Sequence, residues 1–372
     1  MLNMTVFLFI TFVFTICYVY LIILAYLGLS KEIIKTNKKN LFVSVIIPAH
    51  NSENTIGSVI NTLKNQTYPD DLWEVIFIDD RSEDNTKKLI QKSLKNFKNS
   101  SLISVQKVGK GVSPKKNALL QGINKAKGEI ILTTDSDTIL PENWIQSMVR
   151  CYDNDVCMVL GYAPYRTDAP FDTFFHKILA LEYFAMGAVS AGSCGAGLPL
   201  TSFGANLSFR KDDFLKIGGY GETIKILSGD DDLLVHRFNK LCNKKIVFNT
   251  SGQSHVKTDP PLDFKSFLRQ RIRFSSKHFA YPFNAKVIMS AIYMFHINLL
   301  LLFVLTLFNL KFLPFLLLIS GLKSIAELIF LHRSKKLFSE RNLLKYYFPA
   351  FIPHLFYVIF IPVIAQIVSE KW

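Results

Sequence analysis

Residues 128–141 read GEIILTTDSDTILP, from Gly128 to Pro141. A short apolar run bounded by Gly and Pro is the pattern of a central strand in a parallel sheet, here Glu129 to Thr134. The run stops at Asp135 and Asp137, with one residue between them. In open α/β sheets the ligand lies beyond the carboxyl ends of the strands, which is where this acidic pair falls. Two carboxylates so close repel each other and lose hydration. A divalent cation relieves both costs, and Mg2+ or Mn2+ is typically held by one or two carboxylates plus a substrate phosphate. Taken alone, Asp-x-Asp is equally the polar turn that follows many strands.

The residues on the N-terminal side supply the rest of a sheet. Leu41 to Ile47 is an apolar strand that Pro48 ends, and Ile56, Val59, Ile60 and Leu63 then recur at helical spacing. Trp73 to Ile78 is a second strand, ending at Asp79 and Asp80. A helix over Asn85 to Phe97, a strand near Leu102 to Gln106 and a helix over Lys115 to Lys125 follow. This alternation predicts an α/β fold with a doubly wound sheet. Beyond Pro141 it fades. Val156 to Tyr162 suits a strand, and the Phe-rich Phe171 to Val189 suits an amphipathic or buried helix. The glycine-rich stretch after it lacks the strand–GxxxxGK–helix context of a P-loop. The segment FKSFLRQRIRFSSKHFAY, ending at Tyr281, is basic and aromatic, as interfacial helices are.

Nearly half of the 372 residues are hydrophobic, and the excess collects at the two ends of the chain. Met4 to Leu29, Val287 to Leu310, Phe312 to Leu331 and Tyr347 to Val368 are each about long enough to cross a bilayer. The first has no basic n-region or small-residue cleavage site, so it reads as an anchor. The third carries Lys323 and Glu327, four apart on one helix face, where they are expected to pair; that segment alternatively lies in the interface. Three parts result: an anchor over 1–30, a cytosolic domain over 31–286 and three spans over 287–372. The positive-inside rule places Lys31, Lys35, Lys38 and Lys39, and Arg333, Lys335, Lys336, Arg341 and Lys345, on the cytosolic side. The simplest location is a bacterial inner membrane. The net charge of +14 tracks these membrane edges, which argues against a nucleic-acid partner. Five cysteines without CxxC spacing suit a reducing compartment and argue against zinc and a disulfide framework.

Several segments in order carry a resemblance: VSVIIPAHNSENTI, the Asp79-Asp80 strand end, Asp135-x-Asp137, FGANLSFRKDDFLKIGGY, Gly229-Asp230-Asp231 and Gln270-x-x-Arg273-Phe274. Over about residues 41–281 the chain resembles an inverting family 2 glycosyltransferase of the GT-A fold, and the flanking spans resemble its membrane-bound members, such as ceramide glucosyltransferases and polysaccharide synthases. The resemblance implies a nucleotide-sugar donor, more often carried by UDP than GDP. It implies donor contacts from Pro48, Ala49, Asn51, Asp79, Asp80, Lys115, Asp135, Gln270, Arg271 and Arg273. It implies Mg2+ or Mn2+ on Asp135 and Asp137, with the more direct contact from Asp137. The family's catalytic base falls on Asp231, with Asp230 and Asp232 as rivals. Phe274 stands where the family has tryptophan and is expected, with Asp230, on the acceptor side. Plainer roles compete: Asp79 or Asp80 as a helix cap, Lys115 or Lys116 as a solvated helix start, the acidic run as a helix N-terminus, and the basic helix as a membrane-surface element.

The acceptor divides the reading. One version adds a sugar to a membrane lipid or lipid-linked acceptor at the cytosolic face. The other is a processive synthase of a secreted polysaccharide. Four short apolar spans are few for a secretion channel, which favours the lipid. A tethered receiver-like domain leaves Asp231 and the Gln270–Phe274 motif unexplained. A non-catalytic partner that only binds nucleotide-sugar would not need every acidic position filled.

Overall fold

The computed structural model describes residues 4–31, 40–338, 340 and 342–368. Lys35, Lys38, Lys39 and Arg341, used above for orientation, lie outside the described residues. In chain order the elements are α1 (Met4–Gly28), β1 (Val43–Ala49), α2 (Ile56–Lys64), β2 (Trp73–Asp79), α3 (Thr86–Ser93), β3 (Ser100–Ser104), α4 (Pro114–Lys125), β4 (Ile130–Thr133), β5 (Thr138–Ile139), α5 (Trp144–Val149) and β6 (Val156–Gly161). Then come α6 (Phe174–Gly195), β7 (Leu207–Arg210), α7 (Lys211–Lys216), α8 (Asp232–Leu241), β8 (Lys245–Asn249), β9 (Lys257–Thr258), α9 (Phe264–Ser275), α10 (Phe283–Phe308), α11 (Leu313–Phe338) and α12 (Tyr347–Ile367).

The main sheet runs β3-β2-β1-β4-β7-β6-β8. Its first four strands are parallel, β7 is antiparallel to both neighbours, and β8 is parallel to β6. The sheet is therefore doubly wound and mixed. Alternate residues of β1 feed two cores: Val43, Val45 and Ile47 pack with α2 and α5 residues, and Ile46 packs with α4. Burial on both faces explains why β1, β2 and β4 read as unbroken apolar runs. The chain steps outward from β1 to β3 and then returns to place β4 on the other side of β1. The crevice that binds ligands in such sheets thus opens at the carboxyl ends of β1 and β4.

β7 was hidden in the sequence by its polar centre. Asn206, just before it, donates to Tyr162 O (2.8 Å) and Ser254 O (2.7 Å) and accepts from Trp144 Nε1 (3.0 Å). Ser208 Oγ meets the Tyr152 hydroxyl at 2.8 Å. Every one of these buried polar groups has a partner, so a strand without an apolar run is stable here.

Among the described residues, five helices are long and apolar enough to cross a membrane: α1, α6, α10, and α11 and α12 each with the turn before it. Four were expected. The fifth, α6, is largely buried within the protein, packed against β8 on one side and α1 on another. Glycines set that last contact: a Cβ on Gly28 would stand 1.9 Å from Gly192 O. The Lys323–Glu327 pair forms as expected, Nζ to Oε2 at 2.7 Å, and Glu327 also accepts from the Tyr18 hydroxyl. α11 runs seven residues past the expected Leu331 and ends with Phe338 against Tyr162 and Phe248. Membrane helix and sheet domain therefore share one core.

Candidate active site

Three loops and two helix starts converge on the crevice. β4 delivers Asp135 and Asp137 on the turn before β5. Pro114 sits at the first position of α4, where its missing N–H costs nothing, and this places Lys115 in the first turn facing the acids. Lys115 Nζ lies 2.8 Å from Asp135 Oδ1 and 2.9 Å from Asp230 Oδ2. These attractions outweigh burial and raise the lysine above its usual range. Lys116 points the other way, fully buried, and donates to the carbonyls of Thr223 (2.7 Å), Ile226 (2.9 Å) and Ser228 (2.9 Å). It latches the loop that leads into the acidic run, so of the two lysines only Lys115 faces the crevice.

The run Asp230-Asp231-Asp232 opens α8 and its members differ sharply. Asp232 is 3 % exposed and saturated: Ser202 N and Oγ bond Oδ1, while Tyr281 and Lys277 bond Oδ2. Burial would raise its carboxyl, but Lys277 and Tyr281 hold it below the usual range. Asp230 is likewise held low, its burial outweighed by Lys115 first. Asp231 is the N-cap of α8, its Oδ1 accepting from Asp232 N at 2.7 Å and its Oδ2 from Gly204 N at 3.0 Å. Burial and the Asp232 charge push its carboxyl up to about 6, against the pull of Lys277. Capping and base chemistry are compatible, because Asp231 lines the cavity and Gly204 N takes only one of the two lone pairs of Oδ2. Gly204 is needed for the close approach: a Cβ there would stand 3.0 Å from Asp230 Oδ2.

Asp137 is exposed and lines the cavity, where the surrounding protein and then the Asp135 charge push its carboxyl up to about 6. Two carboxylates one residue apart on the cavity wall, Asp135 paired with Lys115 and Asp137 exposed, fit a hard divalent cation. Among the described residues no group of three or more His, Cys, Asp or Glu forms, so the chain offers these two carboxylates and leaves further positions to phosphate and water.

Pro48, Ala49, Asn51, Asp79 and Asp80 gather at the adjoining ends of β1 and β2, in register at Ala49 and Asp79. Asn51 adopts φ 47° and accepts from Glu83 N at 2.8 Å, and Asp80 pairs with Arg81 at 2.8 Å. Ser52 joins this loop to the turn that carries Asp135 and Asp137 by meeting Ser136 Oγ at 2.8 Å. From α9, Gln270 accepts from the Tyr165 hydroxyl at 2.8 Å. Arg273 and Phe274 line the cavity. Arg271 is 3 % exposed, 3.5 Å from Glu182 on α6 and ringed by Phe267, Phe274, Tyr183 and Tyr357. Glu182 engages only one edge of the guanidinium, Nε has no hydrogen-bond partner among the described residues, and Arg271 also lines the cavity.

One cavity of about 1020 Å3 contains Lys115, Asp135, Asp137, Asp230, Asp231, Gln270, Arg273 and Phe274 in its wall. It continues between the apolar helices, past Tyr18 on α1, His296 on α10, Glu327 on α11 and Val358 and Ile361 on α12. Sequence reading missed Lys277, Tyr281, Gly204 and this continuity. Three adjacent carboxylates in sequence do not tell which of them is buried or which cation meets it.

The family model described as Glycosyl transferase family group 2 matches residues 130–364, and that of Glycosyl transferase family 2 matches 44–213. The chain belongs to glycosyltransferase family 2. This glycosyltransferase is 24 % identical over 200 residues to the probable glycosyltransferase YdaM of Bacillus subtilis, covering 53 % of this chain and 46 % of that one. It is 28 % identical over 186 residues to the poly-beta-1,6-N-acetyl-D-glucosamine synthase of Staphylococcus epidermidis, covering 49 % and 42 %. The matched stretch is thus less than half the length of each of these relatives. The mannosyltransferase PcManGT of Pyrobaculum calidifontis, solved with GDP-Man and Mn2+, superposes over 98 % of this chain and all of that one, with a TM-score of 0.57 and 17 % identity. That likeness is one of fold, and it extends through the helices that flank the sheet domain.

Proposed function

We propose that this glycosyltransferase moves a sugar, with inversion, from a nucleotide-sugar to a membrane lipid or lipid-linked acceptor at the cytosolic face. One observation carries the reading: the cavity that holds Asp231 is continuous with a mostly apolar space between helices able to span a membrane, whose wall also holds the paired Lys323 and Glu327. A lipid hydroxyl can reach the base along that space while its chains stay out of water.

The base and rim of β1 and β2 receive the nucleoside, and Arg273 faces the diphosphate. Asp135 and Asp137 would hold Mg2+ or Mn2+, which would supply positive charge to the departing diphosphate. Asp231 takes the proton of the acceptor hydroxyl at Oδ2. The acceptor oxygen bonds to the anomeric carbon from the face opposite the leaving group. The bond from that carbon to the diphosphate oxygen breaks, and its electron pair leaves with the nucleotide. Positioned general bases contribute roughly 10²- to 10⁴-fold. Closing the apolar wall around the acceptor excludes water, so donor hydrolysis stays slow.

The test supplies membranes containing the protein with radiolabelled UDP- and GDP-sugars and Mn2+ or Mg2+, then partitions the products. Label in the organic phase, absent with Asp231→Asn and with chelator, supports the proposal. Label in a high-molecular-mass, water-soluble or insoluble fraction shows a polymer synthase instead.

A further inference from the structure

Lys277 lies three residues past Phe274 and just beyond the end of α9, outside every motif that marked the site. It is 6 % exposed. Its Nζ stands 2.6 Å from Asp232 Oδ2 and 3.3 Å from Asp231 Oδ1, and its stem packs over Gly229, where a Cβ would come within 3.1 Å of Cδ. A buried ammonium between two buried carboxylates is costly to desolvate unless each contact is used.

Asp232 does not depend on Lys277 for its place, since Ser202 and Tyr281 also hold it. Asp231 does. Its Oδ1 receives two donors, Asp232 N and Lys277 Nζ, which fill both lone pairs. Among the described residues its Oδ2 receives only Gly204 N and keeps one lone pair open. We propose that Lys277 is a positioning residue: it occupies Oδ1, so that Oδ2 is the oxygen that takes the acceptor proton, and it keeps Asp231 ionised. This rests on the role given to Asp231 above. Lys277 keeps its own protons throughout, and the proton that moves goes from the acceptor hydroxyl to Oδ2.

The charges around Asp231 all bear on the test. Asp230 and Asp232 oppose its ionisation, and Asp230 is itself tied to Lys115. Lys277 is the cation that touches it, while Lys116 is turned to its own carbonyls and His236 and His278 are held neutral by burial. Removing Lys277 therefore leaves Asp231 with two acidic neighbours and no cation in contact.

The experiment labels the purified full-length protein with a carbodiimide, which reacts with protonated carboxyls, and maps Asp231 by mass spectrometry across pH. It needs neither donor nor acceptor. Half-labelling near pH 6 in the parent is expected to move up by a unit or more in Lys277→Met and to return in Lys277→Arg. In the transfer assay, Lys277→Met is expected to lower kcat at pH 7 tenfold or more with little change in donor KM. Unchanged half-labelling in Lys277→Met overturns the proposal, whatever kcat does. If Lys277→Met does not fold, half-labelling within 0.3 pH units of the parent in Lys277→Arg supports it, and a larger shift overturns it. Full transfer activity in Asp231→Asn would overturn the reading of the base itself, an outcome the labelling result distinguishes.

Discussion

Lys116 gives the sharpest quantitative test of how the acidic run is held. Lys116→Met keeps the length of the stem and removes the three donors. Three carbonyls lose their partner at once. Those of Thr223 and Ile226 belong to half-buried residues and regain water, whereas Ser228 is buried and its carbonyl stays unsatisfied. A buried orphan carbonyl costs about 1–3 kcal/mol and a re-solvated bond about 0.5 kcal/mol, so the loop from Gly221 to Ser228 loses about 2–4 kcal/mol against opening. Local opening of that size raises the population of the open form by about 30-fold or more. Lys225 is exposed in the same loop, so the rate of tryptic cleavage after Lys225, followed by mass spectrometry under native conditions, reads the opening directly. Transfer should fall with it, because the loop leads straight into Asp230 and Asp231. Cleavage at the parent rate in Lys116→Met would refute the latch.

Gly204→Ala should cut transfer by about tenfold or more while leaving donor affinity within about twofold. The new Cβ would stand 3.0 Å from Asp230 Oδ2 and 3.6 Å from the Asp231 Cβ, so the acids must shift. Transfer should fall as pH drops through about 6, because Asp231 acts only as the carboxylate and its pKa is raised to about 6. Asp137, raised to about 6 as well, adds a second proton to that limb, and saturating Mn2+ should reduce the dependence to one; a flat kcat/KM from pH 5 to 7 would contradict this. Glu327→Gln leaves Lys323 buried without its anion and should destabilise the bundle by about 3 kcal/mol or more, read as a lower melting temperature in detergent.

The first half of the sheet was legible in the sequence because β1, β2 and β4 are buried on both faces and each ends at charged or turn residues. The other half was not. β7 is held by Asn206 and Ser208, whose partners lie 44 or more positions away in the chain, and no local pattern carries that information. α6 shows the same limit from the other side. Its composition suits a membrane span, but its glycines and its contacts with β8 bury it inside the protein. For the site, residue types were readable and pairings were not. The resemblance singled out Asp231 from Asp230 and Asp232, but nothing in the sequence showed how their surroundings differ. Lys115, Gly204 with Lys277, and Ser202 with Tyr281 make them three different groups.

The most direct test narrows the apolar part of the cavity without touching its acidic end. Val358 lines the wall on α12 and is half-buried, so Val358→Trp fills space that an acceptor chain would need. Transfer of label to the organic phase and slow hydrolysis of the nucleotide-sugar would be measured in the same membranes. A lipid acceptor entering between the helices predicts loss of lipid labelling with hydrolysis retained. Lipid labelling at the parent rate in Val358→Trp would contradict that route to Asp231.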